Sequence, residues 1–185
     1  YKQLSDEFRS DLGFISTNNQ KKYTLWHGYY KFPNKDLIKR YRISLRQDFD
    51  YDYNHNISRS NFQGYLGFLT VLNTDVLYNY EYNFIKSHLE FQFKDFINHW
   101  LSVESQPTDF LNFNFWYKWG KDIAYRIETP MLGMVNDIRL SSEISINENF
   151  RIRPNINYSS IKKLDSDEYY FKGYIARLDI RYQFT

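Results

Sequence analysis

Apolar and polar residues alternate with a period of two along most of this chain, the pattern of strands with one apolar and one polar face. The cleanest row runs from Tyr41 to Tyr51, where Tyr41, Ile43, Leu45, Phe49 and Tyr51 share one face and Arg42, Ser44, Arg46, Asp48 and Asp50 the other. Val76, Tyr78, Tyr80, Tyr82 and Phe84 oppose Asn79, Glu81 and Asn83. Leu89, Phe91 and Phe93 oppose Glu90, Gln92 and Lys94, and Leu111, Phe113, Phe115 and Tyr117 oppose Asn112, Asn114, Trp116 and Lys118. Ile123, Tyr125 and Ile127 oppose Arg126 and Glu128. The pattern repeats over Ile138 to Ile146, Phe150 to Tyr158 and Tyr174 to Phe184. Less regular strands are expected over Phe8 to Ile15, Tyr23 to Phe32 and Asn61 to Leu72. No segment carries a helical period, so the chain reads as about eight to ten strands.

Short polar connections are expected at residues 33–36, 73–75, 120–122 and 147–149, where Gly and Asn tolerate positive φ and Asx side chains bond nearby backbone. Longer ones are expected at residues 52–60, 95–109 and 161–168, with a tighter one at 134–137. Short and long connections thus alternate, as in membrane barrels with tight turns on one side and longer loops on the other.

Composition narrows the reading. Aromatic residues are 21% of the 185 residues, yet charged residues are 25% and the mean hydropathy is −0.68. Ala is almost absent, which argues against helix bundles and α/β folds, and the aromatic content argues against disorder. No run of about 18 apolar residues suggests a transmembrane helix, a test that alternating barrel strands escape. Cys is absent, so thiolate chemistry and disulfides are excluded. A net charge of +2 without a basic run gives no sign of nucleic-acid binding.

Two barrels fit such strands: a soluble one with the apolar face inward, binding an apolar ligand, and a membrane one with the faces inverted. Side-chain type favours the second. Tyr41, Tyr51, Tyr78, Tyr80, Tyr82, Phe84, Tyr174, Tyr182 and Phe184 read as membrane girdles. A soluble barrel of this length could not satisfy so many Tyr hydroxyls in its core. The opposite rows then line a lumen: Arg42, Arg46, Asp48, Asp50, Glu81, Arg126, Arg139, Glu143, Arg151, Arg153, Arg177, Asp179 and Arg181. The expected fold is one all-β domain, an antiparallel up-and-down transmembrane barrel in the outer membrane of a Gram-negative bacterium.

The lumen arginines read as an anion-favouring patch in a pore or, more commonly in such folds, as an ion-pair ladder filling the interior. Asp48, Asp50 and Asp52 repeat at a spacing of two, about 7 Å apart, but a Ca²⁺ site needs more ligands than these. His27, His55, His88 and His99 form no zinc motif. A hydrolase would need a Ser–His pair, for which Ser102 with His99 and Ser87 with His88 are the available neighbours. Trp100 is expected in a loop, whereas the parity of Trp116 puts it on the polar face. No cofactor is implied.

The segment Glu7-Phe8-Arg9-Ser10-Asp11-Leu12-Gly13-Phe14-Ile15, followed by a Tyr-rich strand, a short turn, Arg40-Tyr41-Arg42 and Asp48-Phe49-Asp50-Tyr51, resembles the C-terminal barrel of a large Bacteroidota outer-membrane family of unknown function. Members of that family carry a carbohydrate-binding-like β-sandwich before the barrel. The resemblance implies further strands after Thr185, so the chain is expected to be part of a larger barrel, and it transfers no catalytic residue. The function expected is non-enzymatic: a pore, scaffold or accessory subunit, with outer-membrane lipid and other outer-membrane or periplasmic proteins as partners. The alternatives are the soluble ligand-binding barrel and a lipid or glycan hydrolase.

Overall fold

The computed structural model describes residues 2–4, 20–33, 37–52, 55–88, 90–125 and 127–183. Its strands are β1 (Lys2–Leu4), β2 (Gln20–Lys31), β3 (Ile38–Tyr51), β4 (Ile57–Thr70), β5 (Thr74–His88), β6 (Phe91–Thr108), β7 (Leu111–Ala124), β8 (Met131–Asn147), β9 (Phe150–Lys163) and β10 (Tyr169–Tyr182). They form one sheet in sequence order, each strand antiparallel to the next. The sheet is not closed: β1 and β10 are its two edges. Among the described residues there is no helix.

Among the described residues nothing stacks on this single layer, so a face is buried only where its own side chains crowd together. The buried face is the polar one. On that face Ser44, Asp48, Asn61, Gln63, Asn79, Asn83, Asn98 and Asp122 are buried, and among the described apolar residues Phe96, Ile123, Ala124 and Val135 are buried. The apolar rows face out, with Leu25, Ile43, Leu45, Leu66, Leu178 and Ile180 all exposed. This reverses the arrangement a soluble ligand-binding barrel requires, in which the apolar rows are enclosed.

Cross-strand register carries the outer face across the sheet. Tyr29, Ile43, Leu66, Tyr78, Leu101, Tyr117, Ile138, Tyr158 and Tyr174 are successive partners from β2 to β10. Beside them run Tyr41, Phe68, Val76, Val103, Phe115, Leu140, Ile156 and Ala176. Neither row contains a charge. Period-two alternation in each strand, combined with an in-phase register, therefore builds a continuous apolar belt.

Several expected boundaries move. Residues 95–109, expected as the longest loop, lie almost wholly in β6, and residues 134–137 lie within β8. Residues 120–122 lie inside β7, and of the strand expected from Ile123 onward only Ile123 and Ala124 are strand, as the end of β7. Asp95 (φ 52°) and Gly120 (φ 107°) have the positive φ typical of turns, but here they sit within strands. The alternation of connection lengths is correspondingly weaker, because only two residues separate β5 from β6 and two separate β6 from β7. The expected strand over Phe8 to Ile15 lies outside the described residues, as do Arg126 and Phe184.

Gly120 bends the sheet. Pairing of β7 with β6 stops at Asn98–Gly120, whereas pairing with β8 continues to Ala124–Met131. A Cβ at position 120 would sit 2.7 Å from the Ile97 carbonyl oxygen, so only glycine permits this approach. Past that point β7 parts from β6, and Ile123 and Ala124 turn into the interior, where they are only 1% and 3% exposed.

Candidate functional site: the polar inner face

Inner-face residues form rows that run across the strands. In one, Thr24, Asp48, Asn61, Asn83 and Phe96 are successive partners from β2 to β6. In the next, Trp26, Arg46, Gln63, Glu81, Asn98 and Gly120 follow one another to β7. Asp48 is fully buried and accepts hydrogen bonds from the Thr24 hydroxyl (2.6 Å) and Arg46 Nη2 (3.1 Å). Its second oxygen lies 2.9 Å from Arg46 Nε. Glu81 accepts from the Asn61 amide at 2.6 Å and pairs with Arg59 at 3.6 Å. Tyr65 donates to Gln63. Arg42 lies 3.8 Å from Asp75, and Asp50 lies 3.9 Å from Lys22. Opposite charges thus interleave across β2 to β6.

Asp122 closes the gap where β6 and β7 part. Lys118 pairs with it along β7, and Lys86 of β5 reaches it at 3.6 Å. The turn chemistry of residues 120–122 concealed this acid from the sequence reading.

Four asparagines stand out. Asn61, Asn79, Asn83 and Asn98 are at most 1% exposed, and each has a side-chain oxygen without a hydrogen-bond partner. In a dry interior each such atom would cost about 1–3 kcal/mol. Spare acceptors of this kind suit an interior that admits water. The parity of Asn79 and Asn83 was visible in the sequence. Asn98 falls in an expected loop and Asn61 in an irregular strand, so their places in these rows emerge only from register.

The arginines of β8 to β10 all share the inner face. Arg139 pairs with Asp137 (3.1 Å), Arg151 and Arg153 with Glu143 (3.5 and 2.8 Å), and Arg181 with Asp179 (3.1 Å). This is mostly the ion-pair ladder. Arg177 forms no ion pair among the described residues and faces Asn155 across the sheet. Trp116 is on the inner face, as its parity required, beneath the Arg139 guanidinium at 4.5 Å. Trp100, expected in a loop, is in β6 and faces inward against Tyr65, 6.1 Å between rings.

The expected girdle residues among the described ones keep the outer face. Tyr41 and Tyr51 sit towards opposite ends of β3, whereas Tyr78, Tyr80 and Tyr82 run through the middle of β5. Tyr78 bonds His99 Nδ1 at 2.7 Å, and His99 stacks on Trp119 at 5.2 Å. Tyr82 donates to Asp95 at 2.8 Å, and Tyr174 and Tyr182 are well exposed on β10.

The geometry assembles neither of the two Ser–His pairs named from the sequence. His99 is outward, three residues from the inward Ser102, and Ser87 and His88 are consecutive strand residues on opposite faces. The three expected acids also separate. Asp48 and Asp50 have the partners given above, and Asp52 accepts from the Asn56 backbone at 2.7 Å to close the β3–β4 turn. Among the described residues, no group of three His, Asp or Glu side chains could hold a metal ion.

No protein-family model, curated protein or solved structure matches this chain. Functional reasoning therefore rests on the two faces of the sheet.

Proposed function

We propose that this chain forms the wall of a non-enzymatic outer-membrane β-barrel, serving as a pore, scaffold or accessory subunit. The observation that carries the reading is the outer belt, two adjacent rows without a charge running from β2 or β3 to β10. Water would penalise that belt and favour aggregation, whereas acyl chains solvate it. The buried face complements it with interleaved ion pairs and asparagines that have spare acceptors, the chemistry of a hydrated lumen. The strands, most of 14 residues or more, exceed the roughly 9–11 needed to cross a bilayer with tilt.

Membrane fractionation after alkaline carbonate washing tests this reading. Retention with the lipid, and a shift in gel mobility on boiling in dodecyl sulfate, are the expected results. A chain that remains monodisperse in buffer without detergent would overturn it. Conductance in a planar bilayer then separates a pore from a scaffold.

A further inference from the structure

The inner face changes character along β8, β9 and β10. Val135, Ile161 and Phe171 form one cross-strand layer, followed by Asp137, Ser159 and Gly173. Arg139, Asn157 and Ile175 come next, then Ser141, Asn155 and Arg177. Within a polar interior, one end of this strip is apolar and the other cationic. The small side chain of Ser159 leaves a hollow between the apolar layer and Ile175, beside the Phe171 ring that lies over Gly173. The inturned end of β7 walls it with Ile123, Ala124 and Tyr125, enclosing an open chamber of about 670 Å³. Tyr125 is held there by an edge-on contact with His88 at 4.7 Å and by Lys86 over its ring at 5.6 Å. A volume of this size is in the range of small-molecule sites.

Asn157 also lines a second hollow that includes Arg153, Arg177 and Asp179. Every inner-face carboxylate of β8 to β10 is already engaged: Asp137 by Arg139, Glu143 by Arg151 and Arg153, Asp179 by Arg181. Arg177 is the cation left over, two residues along β10 from Ile175 and so about 7 Å away. An unpaired guanidinium fork suits a carboxylate, phosphate or sulfonate oxygen pair.

We infer that this strip binds an amphipathic anion, with its flat or chain-like apolar body in the chamber and its acid group on Arg177. The inference needs only β7 to β10 and holds whether or not the sheet lies in a membrane. Other strong features of the molecule do not offer this combination. In the Asp122 cluster both lysines are already held by the one carboxylate, and the His99 cluster is committed to its own ring contacts on the outer face.

Calorimetric titration of the full chain with 2-naphthoate, a small aromatic acid, tests this, with the neutral 2-naphthamide as comparison. The titration is run in detergent if the chain needs it and in buffer otherwise, so its outcome is independent of membrane fractionation. Saturable binding of naphthoate, at least about tenfold tighter than naphthamide, is expected, since one charge-assisted bidentate contact carries that much. Arg177→Gln should abolish the preference while sparing the weaker naphthamide binding. Because Arg177 is exposed and makes no ion pair, that variant should fold normally. Ser159→Leu, which fills the hollow, should weaken both ligands. Absence of saturable naphthoate binding, equal binding of the two ligands, or binding indifferent to Arg177→Gln would overturn the inference.

Discussion

Asp48 shows how one buried charge organises its surroundings. It is fully enclosed, yet both oxygens face donors from β2 and from its own strand. Asp48→Ala would leave the Thr24 hydroxyl and the Arg46 guanidinium without their acceptor. Leaving a charged donor unpaired in such a place costs about 2–4 kcal/mol. Urea unfolding should show a lower midpoint with an unchanged slope, and Asp48→Asn, which keeps an acceptor, should lose less. Gly120 acts through its backbone. Gly120→Ala places a Cβ against the Ile97 carbonyl at φ 107°, and the strain should cost about 1–3 kcal/mol. The expected effect is loss of the β6–β7 parting and exposure of Ile123, read as faster amide exchange at the end of β7. Asp167, in the β9–β10 turn, is within 2.5 Å of Lys162, whose ammonium holds its carboxyl below the usual carboxylate range. A depressed pKa means that the pair supports the folded turn above the ordinary Asp value, and that support fades as pH falls through the folded one. Carbon-detected NMR titration should find Asp167 ionising below about 3.9, the unperturbed value. Lys162→Gln should bring it back to that value.

At the level of the element, each strand has two functions because its backbone sends successive side chains to opposite sides. β3 places Ile43 and Leu45 outside while Ser44 and Asp48 are buried inside. This rule also explains why Ser102 and His99 cannot cooperate despite their closeness in the chain. Leu66, half-exposed near the middle of β4 and partnered with Ile43 and Tyr78, tests the outer face directly. Leu66→Arg should destabilise the protein in lipid by about 2–4 kcal/mol, as a cation at the bilayer midplane does. If the same change were neutral or improved solubility in buffer, the outer face would be meeting water. The parting of β7 from β6 is the other decision made at this level. It exchanges ladder hydrogen bonds for the burial of Ile123 and Ala124 and creates the wall of the chamber.

For the whole molecule, the decisive feature is the pair of free edges. A row of unpaired N–H and C=O groups along β10 cannot face acyl chains, because nothing there satisfies it. The proposed membrane barrel therefore requires both edges to be covered, and β1 and β10, being of opposite direction, are competent to pair with each other or with additional strands. Hydrogen exchange in lipid should find the β10 amides that do not bond β9 as protected as those that do. Rapid exchange along that edge would mean an open sheet and would count against a spanning barrel. The interior is uneven at this scale. The β3 to β6 sector is packed, with Asp48, Asn61, Asn79 and Asn83 at zero exposure, while Arg139 and Arg181 of β8 and β10 keep more than half of their side-chain surface accessible. In the proposed barrel, a passage would run along β8 to β10.

The sequence by itself determined the all-β class and the face of most residues within the strands it marked out. Period two is a property of the extended backbone, so the parity of Arg42, Glu81, Trp116 or Arg177 follows from neighbouring residues alone. Strand ends were less legible, because positive φ at Asp95 and Gly120 can either end a strand or bend one, and local chemistry does not distinguish these outcomes. Partners were not legible at all. That Asn61 faces Asn83, that Lys86 reaches Asp122, and that Arg177, among the described inner-face arginines, lacks an acid are consequences of register between strands far apart in the chain. Only the tertiary structure decided which face curvature would bury, because crowding on one side of a sheet is a collective property of all its strands.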